Sequence, residues 1–166
     1  MNPVDQIARY VEGVYDPGDW TELRCIRPAD HKIERVWCLA EQLADQGDPL
    51  AALNAQGFNC YVGVNPRLGQ GKTTDAGVAL ARTLFVDFDH LSDDPGVCFD
   101  DLACGIILQA GLPGPTLRVF SGHGIHAYWR LTESIAPDVW TAAQQRVILT
   151  LGSDPTIKNP ERIMRL

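Results

Sequence analysis

The chain has 166 residues, 45% apolar and 21% charged, with a net charge of −7, a make-up that fits one globular domain with room for a core. No apolar run reaches the roughly 18 residues of a membrane span, and the start, MNPVDQIARYVEG, lacks a basic region followed by an apolar one, so a cytoplasmic protein with no membrane partner is expected. The acidic balance weighs against wide phosphate contact, but it is uneven. Residues 113–166 hold six basic and four acidic side chains, a balance of +2, which leaves −9 on the first 112.

In chain order, Val4, Ile7, Ala8 and Val11 fall at helical spacing over residues 3–14. WTELRCI (20–26) alternates as a strand. IERVWCLAEQLADQ (33–46) and PLAALNAQG (49–57) are expected as helix, broken at Asp48-Pro49. FNCYVGVN (58–65) and TLFVDFD (83–89) read as strands, the second buried. DDLACGIILQAG is a helix ending at Gly111, TLRVFS and GIHAYWRL form a hairpin across Gly122-His123-Gly124, and PDVWTAAQQRVILTLG is a helix closed by Gly152. Helices mixed with hairpin-joined strands predict an α+β fold around a largely antiparallel sheet. No repeat, low-complexity tract or interdomain linker interrupts it, so residues 1–166 are expected to form a single domain.

Gly71-Lys72-Thr73, in GVNPRLGQGKTTDAG, raises the question of a phosphate-binding loop. Such a loop needs a glycine four residues before Gly-Lys-Thr and a helix directly after it. Four residues separate the two glycines of that pattern, so the place is held by Pro66, with fixed φ and no N–H, and hardly two helical turns fit before the strand at Thr83. A Gly-rich connection between strands is expected instead. The five cysteines, Cys25, Cys38, Cys60, Cys98 and Cys104, include no C-x-x-C and are expected as reduced, mostly buried thiols. No zinc is predicted; a Cys98/Cys104/His90 cluster is the alternative weighed for it.

Three stretches carry groups suited to chemistry. In FVDFDH, Asp87 and Asp89 leave one face of a strand about 6.6 Å apart along the backbone. Two such carboxylates repel each other unless a cation neutralises them, and hard oxygens imply Mg²⁺ or Mn²⁺, of which such a pair can grip two ions. A solvated pair at a strand end is the plainer alternative. In VFSGHGIHAYWRL, Ser121, free backbone amides and His126 surround a turn, with Tyr128 and Arg130 further along the strand; this suits a phosphate pocket or a histidine merely satisfied within a sheet. In GSDPTIKNPERIMRL, Asp154 stands among Lys158, Arg162 and Arg165, either a third metal carboxylate beside triphosphate-binding cations or a surface ion-pair cluster.

The order h-h-D-x-D, S-G-x-G-x-H-x-Y-W, D-x-x-x-K-x-x-x-R-x-x-R-L resembles the catalytic domain of the archaeo-eukaryotic primase superfamily, particularly phage and plasmid primase-polymerases and RepB-like primases. The resemblance runs from about WTELRCI through YVGVNPR to the last residue, and the serine-glycine-histidine motif is its most specific part. It implies a two-lobed α+β core in which an RRM-like, largely antiparallel sheet flanked by helices carries the acids. Asp87, Asp89 and Asp154 are then the expected catalytic and metal-binding residues for two Mg²⁺ or Mn²⁺ ions. Ser121, His126 and Arg165 are the expected contacts of the nucleoside triphosphate. Arg67, expected on a strand face with Asn65, and more weakly Lys158 and Arg162, are further nucleotide or template contacts.

The implied activity is DNA primase and polymerase nucleotidyl transfer in replication of a phage, plasmid or other mobile element, with single-stranded DNA template and primer as partners. The family usually continues past Arg165-Leu166 into a Pro-Gly turn and more sheet. A catalytic fragment served by a helicase or primer-binding domain elsewhere is therefore one reading. Two rivals stand beside it: a haloacid-dehalogenase-type phosphatase using a D-x-D nucleophile, whose pattern Leu91 departs from, and a non-catalytic replication-initiation DNA-binding module.

Overall fold

A computed structural model describes residues 3–89, 91–92, 94, 96–122 and 124–166. His90 of the zinc alternative and His123 of the hairpin turn lie outside these described residues. Helix α1 (Pro3–Val14) buries Ile7, Tyr10 and Val14 along one stripe. Strand β1 (Trp20–Arg27) then pairs antiparallel with β2 (Lys32–Leu39) over its full length, from Trp20 opposite Leu39 to Arg27 opposite Lys32.

That pairing corrects the helix expected over 33–46. Ile33, Val36, Trp37 and Leu39 satisfy a helical period as well as a strand, and the partner strand decides between them. The hairpin is also cryptic because its left-handed residue is His31, with φ 58°, rather than Gly or Asn. Arg27 closes the turn on the Asp30 carboxylate through Nε and Nη2 at 2.9 and 2.6 Å. Two short 3₁₀ turns at Ala40–Gln42 and Ala44–Gln46 lead into α2 (Gly47–Ala55). Pro49 thus sits in the first turn of a helix, where its missing N–H costs nothing, instead of breaking one.

β3 (Asn59–Gly63) is followed by an irregular connection to β4 (Ala81–Asp89). This connection contains Gly71-Lys72-Thr73 and a 3₁₀ turn at Asp75–Gly77, and no helix follows Thr73. Arg67 is correspondingly not on a strand. It makes a single bridge to Trp20, and both it and Asn65 are buried. Next come α3 (Phe99–Gln109), the hairpin strands β5 (Leu117–Phe120) and β6 (Gly124–Ile135), and α4 (Pro137–Leu151). Gly152 caps α4 with φ 63°, and a three-residue strand unforeseen in the sequence, β7 (Ile163–Arg165), ends the chain.

Two antiparallel sheets result, in the orders β2-β1-β3-β7 and β4-β6-β5. With four α-helices among the described residues, the fold is the mixed α+β one expected. Helix α1 bridges the sheets: Tyr10 meets Tyr128 edge-on at 5.6 Å, and the Tyr15 hydroxyl just beyond the helix donates to the Gly63 carbonyl. Asp16 pairs with Arg82 and Arg130 of the smaller sheet, and Asp19 lies 3.0 Å from Arg82. No helix among the described residues is long and apolar enough to cross a membrane.

β4 lies at an edge of its sheet, so every second residue turns its N–H and C=O away from β6, where burial would leave them unsatisfied. Side chains meet those of Thr83, Phe85 and Asp87. Asn65 Oδ1 accepts from Thr83 N and Trp140 Nε1 donates to Thr83 O, at 3.2 and 2.9 Å. Gln144 reads Phe85 as another strand would, accepting from its N at 3.1 Å and donating to its O at 2.7 Å. Ser153 Oγ does the same for Asp87, at 3.0 and 2.9 Å. Gln144 Nε2 also donates to the Ile157 carbonyl at 3.1 Å, so replacing Gln144 by Ala strands three buried backbone groups and is expected to cost about 2–4 kcal/mol in urea unfolding. The exposed neighbour Gln145→Ala should change stability by less than about 0.5 kcal/mol.

Candidate active site

Asp87 and Asp89 end β4 on one face, with Phe88 turned into the core at 4% exposure. Across the ladder, Asp87 faces His126 and Asp89 faces Gly124. The close approach of β6 to β4 requires that glycine: a Cβ there would strike the Phe88 carbonyl oxygen. Cross-strand pairing therefore sets the imidazole against the carboxylate, with His126 Nε2 3.4 Å from Asp87 Oδ1. On the other side of the ring, the buried Tyr128 hydroxyl lies 3.4 Å from Nδ1. If that hydroxyl donates, the ring proton sits on Nε2, facing Asp87.

The Ser121 corner closes the same hairpin. Ser121 N and Oγ both donate to the Gly124 carbonyl, at 3.0 and 3.3 Å, and Gly122 takes φ 99°. The Ser121 carbonyl accepts from Arg165 Nη1 at 3.3 Å, which joins β7 of the larger sheet to the acid-bearing sheet. Arg165 also stands over the Tyr61 ring, 5.9 Å from its centre. Asp154 follows Ser153, the residue clamped on Asp87, so the third carboxylate is brought beside the first by the α4 cap.

Electrostatics tie the cluster together. Burial raises the Asp87 carboxyl to about 6, helped by the charges of Asp89 and Asp154 and opposed by Arg162 and Arg165. Burial lowers His126 to about 4 despite the attraction of Asp89, and Arg165 lowers it further. At neutral pH the imidazole is thus uncharged, and its contact with Asp87 is not an ion pair. For Asp154, burial acts upward, but two hydrogen bonds from Thr156 and the Arg162 charge outweigh it, and the carboxyl lies below its usual value.

Asp87 Oδ1 is buried and makes no aligned hydrogen bond, its 3.4 Å approach to His126 notwithstanding. Such an orphaned carboxylate oxygen beside a second carboxylate fits a hard divalent cation. Mg²⁺ typically takes one or two protein carboxylates and completes its shell with water and phosphate. Among the described residues, no group of three or more His, Cys, Asp or Glu side chains is gathered closely enough to hold an ion. Asp154 is engaged with Thr156, so the expected three-carboxylate set is near but not closed.

The remaining predicted residues are placed differently. Arg67, 4% exposed, spends Nη2 on Glu22 at 3.3 Å and on the Glu161 carbonyl at 2.6 Å, in the interior rather than among the acids. Lys158 is exposed, and Arg162 is half-buried, close enough to act on Asp87 and Asp154. Cys25, Cys38 and Cys60 are buried, whereas Cys98 is exposed. Sequence reasoning did not find the Ser153 clamp or the buried Glu22. Both act through distant partners, and neither type announces itself in a motif.

No protein-family model and no curated protein matches the chain. Solved structures do. The AEP domain of the primase-polymerase of cyanophage S-2L superposes with a TM-score of 0.73 at 28% identity, over 98% of this chain and 80% of that one. The catalytic domain of primase RepB′ in complex with initiator DNA gives 0.67 at 14% identity, over 100% of this chain and 76% of that one. A second RepB′ structure gives 0.68 at 13% identity over 99% of this chain, which spans about half of the other (49%). The two-sheet α+β architecture is therefore that of an archaeo-eukaryotic primase catalytic domain.

Proposed function

We propose that the chain is a DNA primase and polymerase that transfers nucleotides from triphosphates to a 3′-hydroxyl on a single-stranded DNA template. The observation that carries this is the orphaned carboxylate of Asp87, paired with Asp89 on one strand face and met by Arg162 and Arg165. Acids at one end and cations at the other are what a metal-bound triphosphate needs. The primase-polymerase and RepB′ primase neighbours support the same reaction class, and nothing in the site favours the phosphatase or the non-catalytic module.

Two Mg²⁺ or Mn²⁺ ions held by Asp87 and Asp89, with Asp154 as a further ligand, would supply charge neutralisation at the attacking and leaving oxygens. The protein's own part is positioning. Arg165, with Arg162 and Lys158 behind it, draws the triphosphate to the Ser121 corner. A neutral His126, with Nε2 turned to Asp87, backs the carboxylate and adds no charge that would compete with the cations. The ladder and the Ser153 clamp hold the carboxylates still, so little reorganisation accompanies reaction. A net charge of −7 implies weak hold on the template, easily lost to salt. A helicase or primer-binding domain would compensate.

Incubated with Mn²⁺ or Mg²⁺, nucleoside triphosphates and single-stranded DNA, with and without an annealed primer, the chain is expected to yield metal-dependent products. Asp87→Ala/Asp89→Ala should reduce them by more than about 10³-fold. Products that persist in the double variant would refute the reading. Products in the unprimed lane separate primase from polymerase.

The raised Asp87 carboxyl also has a consequence for stability. The fold binds this proton more tightly than the unfolded chain does, so ionisation destabilises the metal-free protein as pH rises from about 4 through about 6. Asp87→Asn removes that cost. Without metal at pH 7.5 the variant should be more stable by about 1–2 kcal/mol after solvent screening, with the gain vanishing toward pH 4. Mn²⁺ should stabilise the wild type well above the variant, as thermal unfolding in chelator and in Mn²⁺ will show.

A further inference from the structure

The face of the larger sheet turned away from the core carries one continuous row. Arg24 on β1 lies opposite Arg35 on β2 and, on its other side, opposite Tyr61 on β3; Tyr61 in turn lies opposite Arg165 on β7. Residues directly opposite in antiparallel ladders project from the same face. The row therefore runs Arg35, Arg24, Tyr61, Arg165 across all four strands, about 14 Å at the usual spacing of about 4.8 Å between strands. The opposite face is core, with Leu23, Cys25, Cys60, Val62 and Met164 buried. The Arg35 side chain is 42% exposed and that of Arg24 17%.

The row is anchored from its own face, by the residue two before Arg24 on β1. Glu22, fully buried, holds Arg24 at 2.6 Å and reaches Arg35 at 3.5 Å through Oε1, while Oε2 takes the interior Arg67 at 3.3 Å. One carboxylate thus orients three guanidinium groups. The other acid near Arg24 is Glu161, itself held by Asn159. The three arginines of the row against Glu22 and Glu161 leave this face with an excess of positive charge in a chain of net charge −7. Arg165 adds a cation over the Tyr61 ring and ends the row at the Ser121 corner, beside the acids.

We infer that this row is the track on which single-stranded nucleic acid enters the site, with the arginines on its phosphates and Tyr61 as a surface for its bases. Half-buried guanidinium groups on both sides of an aromatic ring, with the exposed Arg35 beyond them, suit a flexible strand whose bases are free to stack. Arg35 lies three strands from Arg165, too far to share the triphosphate held there, so the partner is a polymer. This rests on the proposed function for its direction, since the strand would end at Asp87 and Asp89.

The test compares Arg35→Glu with Arg146→Glu, which removes another exposed arginine, on α4 and outside the row, for the same change in net charge. Binding of a fluorescent oligothymidylate is followed by anisotropy over a salt series, and Mn²⁺-dependent binding of a nucleoside triphosphate by calorimetry on the same proteins. Arg35→Glu should weaken oligonucleotide binding at least about fivefold and flatten its salt dependence by about 0.7 in log–log slope, the value of one single-strand phosphate contact. Arg146→Glu should change it less than twofold, and nucleotide binding should be the same in all three proteins. Equal effects of the two variants, no effect of either, or a wild type that binds nucleotide but no oligonucleotide would overturn the track while leaving the proposed function standing. A wild type whose oligonucleotide binding follows Arg35 but which binds no nucleotide would sink the proposed function and keep the track.

Discussion

The structure depends on how the open edge of β4 is closed. A strand that ends in two carboxylates cannot accept another strand alongside without burying them, yet its outward N–H and C=O groups are covered and must be paired. Asn65, Trp140, Gln144 and Ser153 resolve this with side chains. They come from the connection before β4, from α4 and from its cap, so the helix is aligned on the strand by hydrogen bonds as well as apolar packing. The same clamp delivers Asp154, one residue past Ser153, to the vicinity of Asp87.

Charge is distributed to match. Asp87, Asp89 and Asp154 meet at the end of the smaller sheet, where burial and mutual repulsion raise Asp87, while Arg24, Arg35 and Arg165 line the open face of the larger sheet. The sheets meet where Arg165 donates to the Ser121 carbonyl. Buried Glu22 extends this logic away from the acids: a lone buried carboxylate would be costly, but one shared by three arginines is compensated and fixes where they point. Under the proposed function, metal binding and stability therefore pull against each other at Asp87, whose carboxyl burial raises to about 6.

Much of this was legible because local chemistry and global fold agree. The buried run before Asp87 and Asp89, the glycines around the hairpin and the αL cap at Gly152 each have a single reasonable reading. Residues 33–46 failed for a definite reason: Ile33, Val36 and Trp37 serve a strand or a helix equally well, and the turn before them uses His31 where Gly or Asn would have signalled a hairpin. β7 is too short to carry a period. Arg67 shares a motif with Asn65 but sits beyond the strand's end, pointed inward to Glu22.

What the sequence by itself determined is the chemistry: which residues are acids, cations and imidazole, and in what order along the chain. Their spacing also places Asp87 and Asp89 on one face, because alternation along a strand is a local property of the backbone. Only the tertiary structure decided their company. That His126 faces Asp87, that Ser153 brings in Asp154, that Arg165 lines up with Tyr61, Arg24 and Arg35, and that Arg67 turns inward all follow from strand register and from side chains filling an unpaired edge. These are contacts between residues tens of positions apart, and no local pattern encodes them.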